Sequence, residues 1–124
     1  MSHIVGLDHI QVAMPRGQEE VARAFYRDLL GLAELPKPAA LATRGGLWFQ
    51  CGEHQFHLGV EDAFAPARKA HPAFRVRAYG RLLQRLAENG FTIAVDNALP
   101  GVERAFVNDP FGNRVELVNA DRDA

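Results

Sequence analysis

Four residues of this chain can ligate a metal ion and occupy matching places along it: His9, His57, His71 and Glu116. They lie in LDHIQV, QFHLGV, HPAFRV and NRVELV respectively. Two histidines and a carboxylate suit a divalent transition ion that keeps open positions for substrate oxygens, and a third histidine would complete a four-ligand site. Each residue alone also has an ordinary explanation. A strand glutamate is mostly solvated, and a lone histidine is commonly structural. The chemistry depends on gathering them, so the elements that carry them decide the reading.

Glu116 follows the run Asp109–Asn113, DPFGN, whose proline presets φ, whose glycine accepts positive φ, and whose Asp and Asn can bond their own backbone. A tight hairpin is predicted there. Beyond it, period two places Glu116 on the face opposite Val115 and Leu117. The first strand, Leu7 to Ala13, puts Leu7, His9 and Gln11 on one face and Ile10 and Val12 on the other. Leu47–Cys51 and Gln55–Val60 read as a hairpin around Gly52–His54, with Gln55, His57 and Gly59 alternating with Phe56, Leu58 and Val60. A strand over His71–Arg77 sets His71, Ala73 and Arg75 against Phe74 and Val76.

Between these strands lie two helices. Gln18 to Leu30 is amphipathic, with Val21, Phe25 and Leu29 inward beside Ala22 and Leu32, with Glu19, Glu20, Arg23, Arg27 and Asp28 outward, and with a stop at Gly31. Tyr79 to Asn89 buries Leu82, Leu83 and Leu86 and ends at Gly90. Pro36 and Pro38 confine their segment to an edge strand or loop. Phe91–Asp96 and Val102–Asn108 are further strands, Glu61–Lys69 is a linker, and Ala120–Ala124 is expected to fray.

The chain therefore states strand, helix, three strands twice. Two copies of this size are too few for a solenoid and should pair to bury each other's apolar faces. The fold class is α+β: two βαβββ modules, about 5–61 and 70–119, joined by the linker 62–69 into a single domain with its helices outside. Superposing the halves matches His9 with His71 and His57 with Glu116 over similar intervals, all four on the non-apolar face.

The 124 residues, 48% of them hydrophobic, suffice for one real core. Fourteen Lys and Arg balance fifteen Asp and Glu, so no long-range field recruits nucleic acid or an acidic membrane. A small-molecule partner is expected. The single cysteine, Cys51, cannot pair internally, the first residues lack a signal-peptide pattern, and no apolar run reaches the roughly 18 residues of a spanning helix. Those features predict a soluble cytoplasmic protein.

LDHIQV, AFYRDLLGL, HPAFRV and DPFGNRVEL resemble the vicinal oxygen chelate superfamily, which contains glyoxalase I, extradiol dioxygenases, fosfomycin-resistance enzymes and bleomycin-resistance proteins. The resemblance spans nearly the whole chain. It implies paired βαβββ modules forming a curled mixed sheet, a cup, that holds a divalent ion such as zinc, nickel, manganese or iron. His9, His71 and Glu116 match the triad of the dioxygenases and fosfomycin enzymes. His57 stands where glyoxalases place a fourth ligand, typically a carboxylate or amide; a histidine there departs from glyoxalase I in charge and acid–base capacity and still allows a four-coordinate protein site. His57 is thus either a fourth ligand or an acid–base residue.

Gln11 and Arg75 share faces with His9 and His71 and are candidate substrate-binding residues for an anionic or carbonyl-bearing ligand. Trp48, Phe49 and Phe106 form either an apolar wall or core. Cys51 has no neighbour in sequence that would activate it, and His3 and His54 read as surface. The expected function is a divalent-metal-dependent enzyme acting on a small carbonyl, diol or epoxide-type substrate. The alternative is a metal-free binding protein of the bleomycin-resistance type. A homodimer is expected, with each cup built within one chain or exchanged between two.

Overall fold

The computed structural model of the protein describes residues 2–121. The chain divides into two compact units at Phe64–Ala65. The first contains β1 (His9–Met14), a helix α1 (Glu19–Arg23) that continues as π-helix over Ala24–Leu29, β2 (Ala33–Leu35), a 3-10 turn (Ala39–Arg44), β3 (Leu47–Cys51) and β4 (His54–Val60). Its sheet has the order β1-β4-β3-β2, with β1 parallel to β4 and the other pairs antiparallel. The second contains β5 (Ala73–Val76), α2 (Tyr79–Glu88), β6 (Ala94–Asp96), β7 (Arg104–Asn108) and β8 (Arg114–Asn119), in the order β5-β8-β7-β6 with the same pairing senses. The same βαβββ connectivity occurs twice.

Alternation produces one apolar face per sheet. In the first unit Met14, Leu47, Phe49, Phe56 and Leu58 are buried with Ala22, Phe25 and Tyr26 of the helix. Full burial of a side chain of this size is worth about 1.5–3 kcal/mol, so this layer supplies most of the unit's driving force. Tyr26 sits 5.1 Å from the Phe56 ring and 6.1 Å from Phe49. Phe49 is therefore core. Gly46 makes the tight approach into β3 possible: its φ is +86°, and a Cβ there would lie 2.1 Å from the Leu58 carbonyl oxygen.

The first helix departs from the regular 3.6-residue expectation. Leu30 N–H donates to Phe25 O, five residues back, at 2.9 Å, the signature of a π turn. Widening the helix rotates the buried stripe. Val21 is 42% exposed, Leu29 is half-buried, and Tyr26 joins Phe25 in the core.

In the second unit Tyr79, Leu86, Ala105, Val107, Val115 and Leu117 are buried, while Leu82 and Leu83 are only half-buried. The fifth strand begins at Ala73 rather than His71, because Pro72 has no N–H to donate. Its carbonyl still accepts from Glu116 N–H at 3.0 Å, so His71 stands just beyond the strand end. The Asp109–Asn113 hairpin turn is as the sequence predicts. Asp109 Oδ1 accepts from Phe111 N and Asn113 N, both at 2.9 Å, and Oδ2 accepts from Asn113 Nδ2 at 2.9 Å.

That turn also fixes part of the segment read as a linker. Asn113 Oδ1 accepts from Ala67 N at 2.9 Å, Arg114 N–H donates to Ala67 O at 2.9 Å, and Arg16 pairs with Asp62 at 3.0 Å. At the other end, Asp121 belongs to the expected fraying segment but accepts from Ala78 N (3.0 Å) and Tyr79 N (3.1 Å), capping α2. Residues 122–124 of that segment lie outside the described residues. No helix among the described residues is long and apolar enough to cross a membrane.

Candidate functional site

Register makes the match between the halves explicit. His9 pairs with Gln55, and Gln11 and Trp48 flank His57; in the other sheet Ala73 and Phe106 flank Glu116. His57 and Glu116 are thus equivalent central positions, and so are Trp48 and Phe106. Both faces are the ones turned away from the buried apolar layer of their own sheet. Each half presents two of the four residues singled out in the sequence.

In the first half three rings stack. His57 lies parallel to Trp48 (centroids 4.1 Å apart, 3° between planes) and to His9 (4.5 Å, 22°). The sandwich leaves His57 6% exposed. Burial lowers its pKa from the ordinary 6.5, and the nearby His9 lowers it further while Asp8 opposes both. His57 Nε2–H donates to Gln55 Oε1 at 2.9 Å, which leaves Nδ1 as the basic nitrogen. His9 is exposed, and its Nδ1–H donates to Asp8 Oδ2 at 2.9 Å, leaving Nε2 with the lone pair.

In the second half His71 Nδ1–H donates to the Lys69 carbonyl at 2.8 Å, and Nε2 lies 2.8 Å from Glu116 Oε1. Carbonyl and carboxylate are both acceptors only, so a neutral ring satisfies one of them and not the other. A proton or a cation between Nε2 and Oε1 satisfies both acceptors at once. Two ligands bound at about 2.1 Å and roughly at right angles on one ion lie about 3 Å apart, close to the observed separation. The donor chemistry of this pair therefore fits a metal ion as well as it fits a proton. The Nδ1–H···O contacts of His9 and His71 fix their ring orientation and leave each Nε2 facing outward from that bond, an arrangement of the kind also found where an imidazole binds a metal.

Glu116 is 7% exposed and is not held by His71 alone. Arg104 Nη1 donates to Glu116 Oε2 at 3.3 Å, and Nη2 donates to Asp96 Oδ2 at 3.2 Å. Arg104 Nε is buried with no hydrogen-bond partner among the described residues. The Phe106 ring meets His71 edge-on at 5.4 Å and has Arg114 over its face at 3.9 Å. Trp48 and Phe106 are consequently walls of the polar faces, one in each half, in contrast to Phe49.

The remaining candidates are less constrained. Gln11 is exposed on β1, with its amide against Gly59, where an added Cβ would come within 2.7 Å of Nε2. Arg75 is exposed on β5. Cys51 is half-buried, and burial raises its thiol pKa, which disfavours the nucleophilic thiolate. His3 is exposed, whereas His54 opens β4 half-buried. No group of three or more His, Cys, Asp and Glu side chains gathers in metal-binding geometry among the described residues.

Arg104, Asp8 and Gln55 were not anticipated from the sequence. Arg104 lies two residues before Phe106 on β7 and so shares its face, but only the β7–β8 register sets that face beside Glu116. Asp8 immediately precedes His9. Gln55 lies two residues before His57 and so shares its face.

Residues 6–117 match the sequence profile of the Glyoxalase/Bleomycin resistance protein/Dioxygenase superfamily. The crystal structure of a glyoxalase family protein from Bacillus anthracis shares 49% identity over 96% of this chain and 98% of that one, with a TM-score of 0.91. The fold, without closer relationship, is shared by two further structures. One is the genomically encoded fosfomycin resistance protein FosX from Listeria monocytogenes, at 15% identity over 97% of this chain and 96% of that one, TM-score 0.76. The other is lactoylglutathione lyase from Agrobacterium tumefaciens, at 20% identity over 96% of each chain, TM-score 0.66. No curated protein matches the chain.

Proposed function

The chain belongs to the Glyoxalase/Bleomycin resistance protein/Dioxygenase superfamily, and from that premise we propose that it is a divalent-metal-dependent enzyme acting on a small carbonyl, diol or epoxide-type substrate. One observation carries the reading. His71 Nε2 and Glu116 Oε1 face each other at 2.8 Å, while the other ring nitrogen is already committed to a carbonyl. A divalent ion between them satisfies both the imidazole lone pair and the carboxylate. His71 and Glu116 from a second-half module, with His9 from a first-half module, are the proposed ligands, and zinc, nickel, manganese or iron the candidate ions. The two modules come from one chain or from two chains of a homodimer in the cytoplasm.

When bound, such an ion polarises a substrate oxygen or lowers the pKa of bound water. The chain's own residues supply the rest. Asp8 and the Lys69 carbonyl fix the tautomers of His9 and His71, so that each keeps Nε2 for ligation. Arg104 holds the carboxylate of Glu116 from its far oxygen. His57, kept neutral by burial, accepts a substrate proton at Nδ1 while Gln55 holds Nε2–H. Trp48 and Phe106 exclude water, and Gln11 and Arg75 orient the substrate.

The same His71–Glu116 contact closes with a proton in place of an ion, and that form suits a metal-free binding protein. Calorimetric metal titration of wild type and His57→Ala separates the roles. Wild type should bind a divalent ion near neutral pH. Unchanged affinity in the variant assigns His57 as the base, and weakened affinity assigns it as the fourth ligand. Absence of binding by wild type would overturn the metalloenzyme reading. Light scattering at high micromolar concentration should give the mass of a dimer, and a monomer alone would count against the assembly.

A further inference from the structure

The second half contains a cavity of about 610 Å³ whose walls include Arg68, Arg114, Asn108, Thr92, Phe106 and Pro66. Two guanidinium groups line it and no carboxylate does. Among the described residues neither Arg68 nor Arg114 is paired with an acid, in contrast to Arg16, Arg23, Arg27 and Arg104. Arg114 is not free to collapse onto the backbone. Its guanidinium carbon lies 3.9 Å over the Phe106 ring, a contact that holds the group against the aromatic face while its N–H groups remain able to donate. The amide of Asn108 and the hydroxyl of Thr92 add neutral donors, and Pro66 and Phe106 add apolar surface.

We propose that this cavity holds the anionic end of the substrate, a carboxylate or phosphoryl group carried on an apolar stem. Guanidinium forks match the oxygens of both groups, and two uncompensated positive charges select against neutral ligands. Position supplies the link to the chemistry. Phe106 is a wall of the cavity, pairs with Glu116 across β7 and β8, and meets His71 edge-on at 5.4 Å. A substrate whose oxygen end reaches the His71–Glu116 pair would run along that ring toward Arg114. The assignment of the oxygen end rests on the function proposed above, whereas anion binding by the cavity does not.

The test uses the full chain stripped of metal with EDTA, titrated by calorimetry with phenylphosphonate, phenylacetate and neutral benzyl alcohol. At least one anion should bind at least tenfold tighter than benzyl alcohol. That affinity should fall at least tenfold in Arg114→Gln or in Arg68→Gln, whose exposed position spares the fold, as thermal melting of each variant checks. Preference for phenylphosphonate assigns a phosphoryl group, and preference for phenylacetate assigns a carboxylate. Anions that bind no better than benzyl alcohol, or that bind both variants as they bind wild type, overturn the inference. Metal titration of the same wild-type protein is read separately: failure there removes the metalloenzyme reading and leaves the anion result standing, and the converse holds equally.

Discussion

A neutral imidazole at His57 follows from its place between Trp48 and His9, out of water and beside another titratable ring. Its pKa is lowered on folding, so in the window just below 6.5 the unfolded chain binds the more protons. Stability from this residue is complete above 6.5 and is lost as pH falls through the folded value. Denaturant melts of metal-free protein between about pH 5 and 7 should therefore show wild type losing more stability than His57→Gln as pH is lowered. Parallel pH profiles would contradict the neutral, buried ring. Arg104 carries the second prediction at this scale. Arg104→Met leaves Glu116 and Asp96 without their shared cation and should destabilise the fold by about 2 kcal/mol, measured by urea unfolding. Adding Glu116→Gln should cost less than the sum of the two changes, because the residues interact directly. Glu116's face was legible from alternation alone, since Val115 and Leu117 bracket it. Its partner Arg104 lies on another strand, and only the β7–β8 register brings the two together.

Among the elements, the Asp109–Asn113 turn shows how a local signal acquires a non-local task. Its proline, glycine and Asx residues announce a hairpin, and the structure forms one. Asn113, only 1% exposed, also reaches Ala67, a pairing that no local pattern encodes. Asp109→Ala removes three acceptor contacts at a site 4% exposed, and should lower stability by about 3 kcal/mol in urea unfolding. A loss under about 0.5 kcal/mol would mean that the backbone alone sets the turn. The first helix was legible as an amphipathic element but not in its phase. A 3.6-residue period turns Val21 inward, and the π segment brings Tyr26 in instead. The aromatic layer of Phe49 and Phe56 rewards that choice with contacts to Tyr26, and those contacts are tertiary. His71 shows the opposite case: Pro72 ends the ladder early for a reason readable in the sequence.

At the scale of the molecule, two βαβββ units of identical pairing order place His57 and Glu116 at equivalent register positions. The repeat was legible because helix and strand periods alternate in the same order twice. Which groups hold the ring nitrogens of His71 was not, since the Lys69 carbonyl and Oε1 of Glu116 are backbone and register facts. The central claim is that the His71–Glu116 pair, with His9, is a metal-ligand set. Its most direct test is calorimetric titration of EDTA-treated wild type and Glu116→Gln with zinc, nickel, manganese and iron(II), the last without oxygen. The account predicts one ion per site for wild type and about a hundredfold or greater loss of affinity in the variant, which keeps the shape of the side chain and removes its charge. Equal affinity in the two proteins, or no binding by wild type near neutral pH, would contradict it.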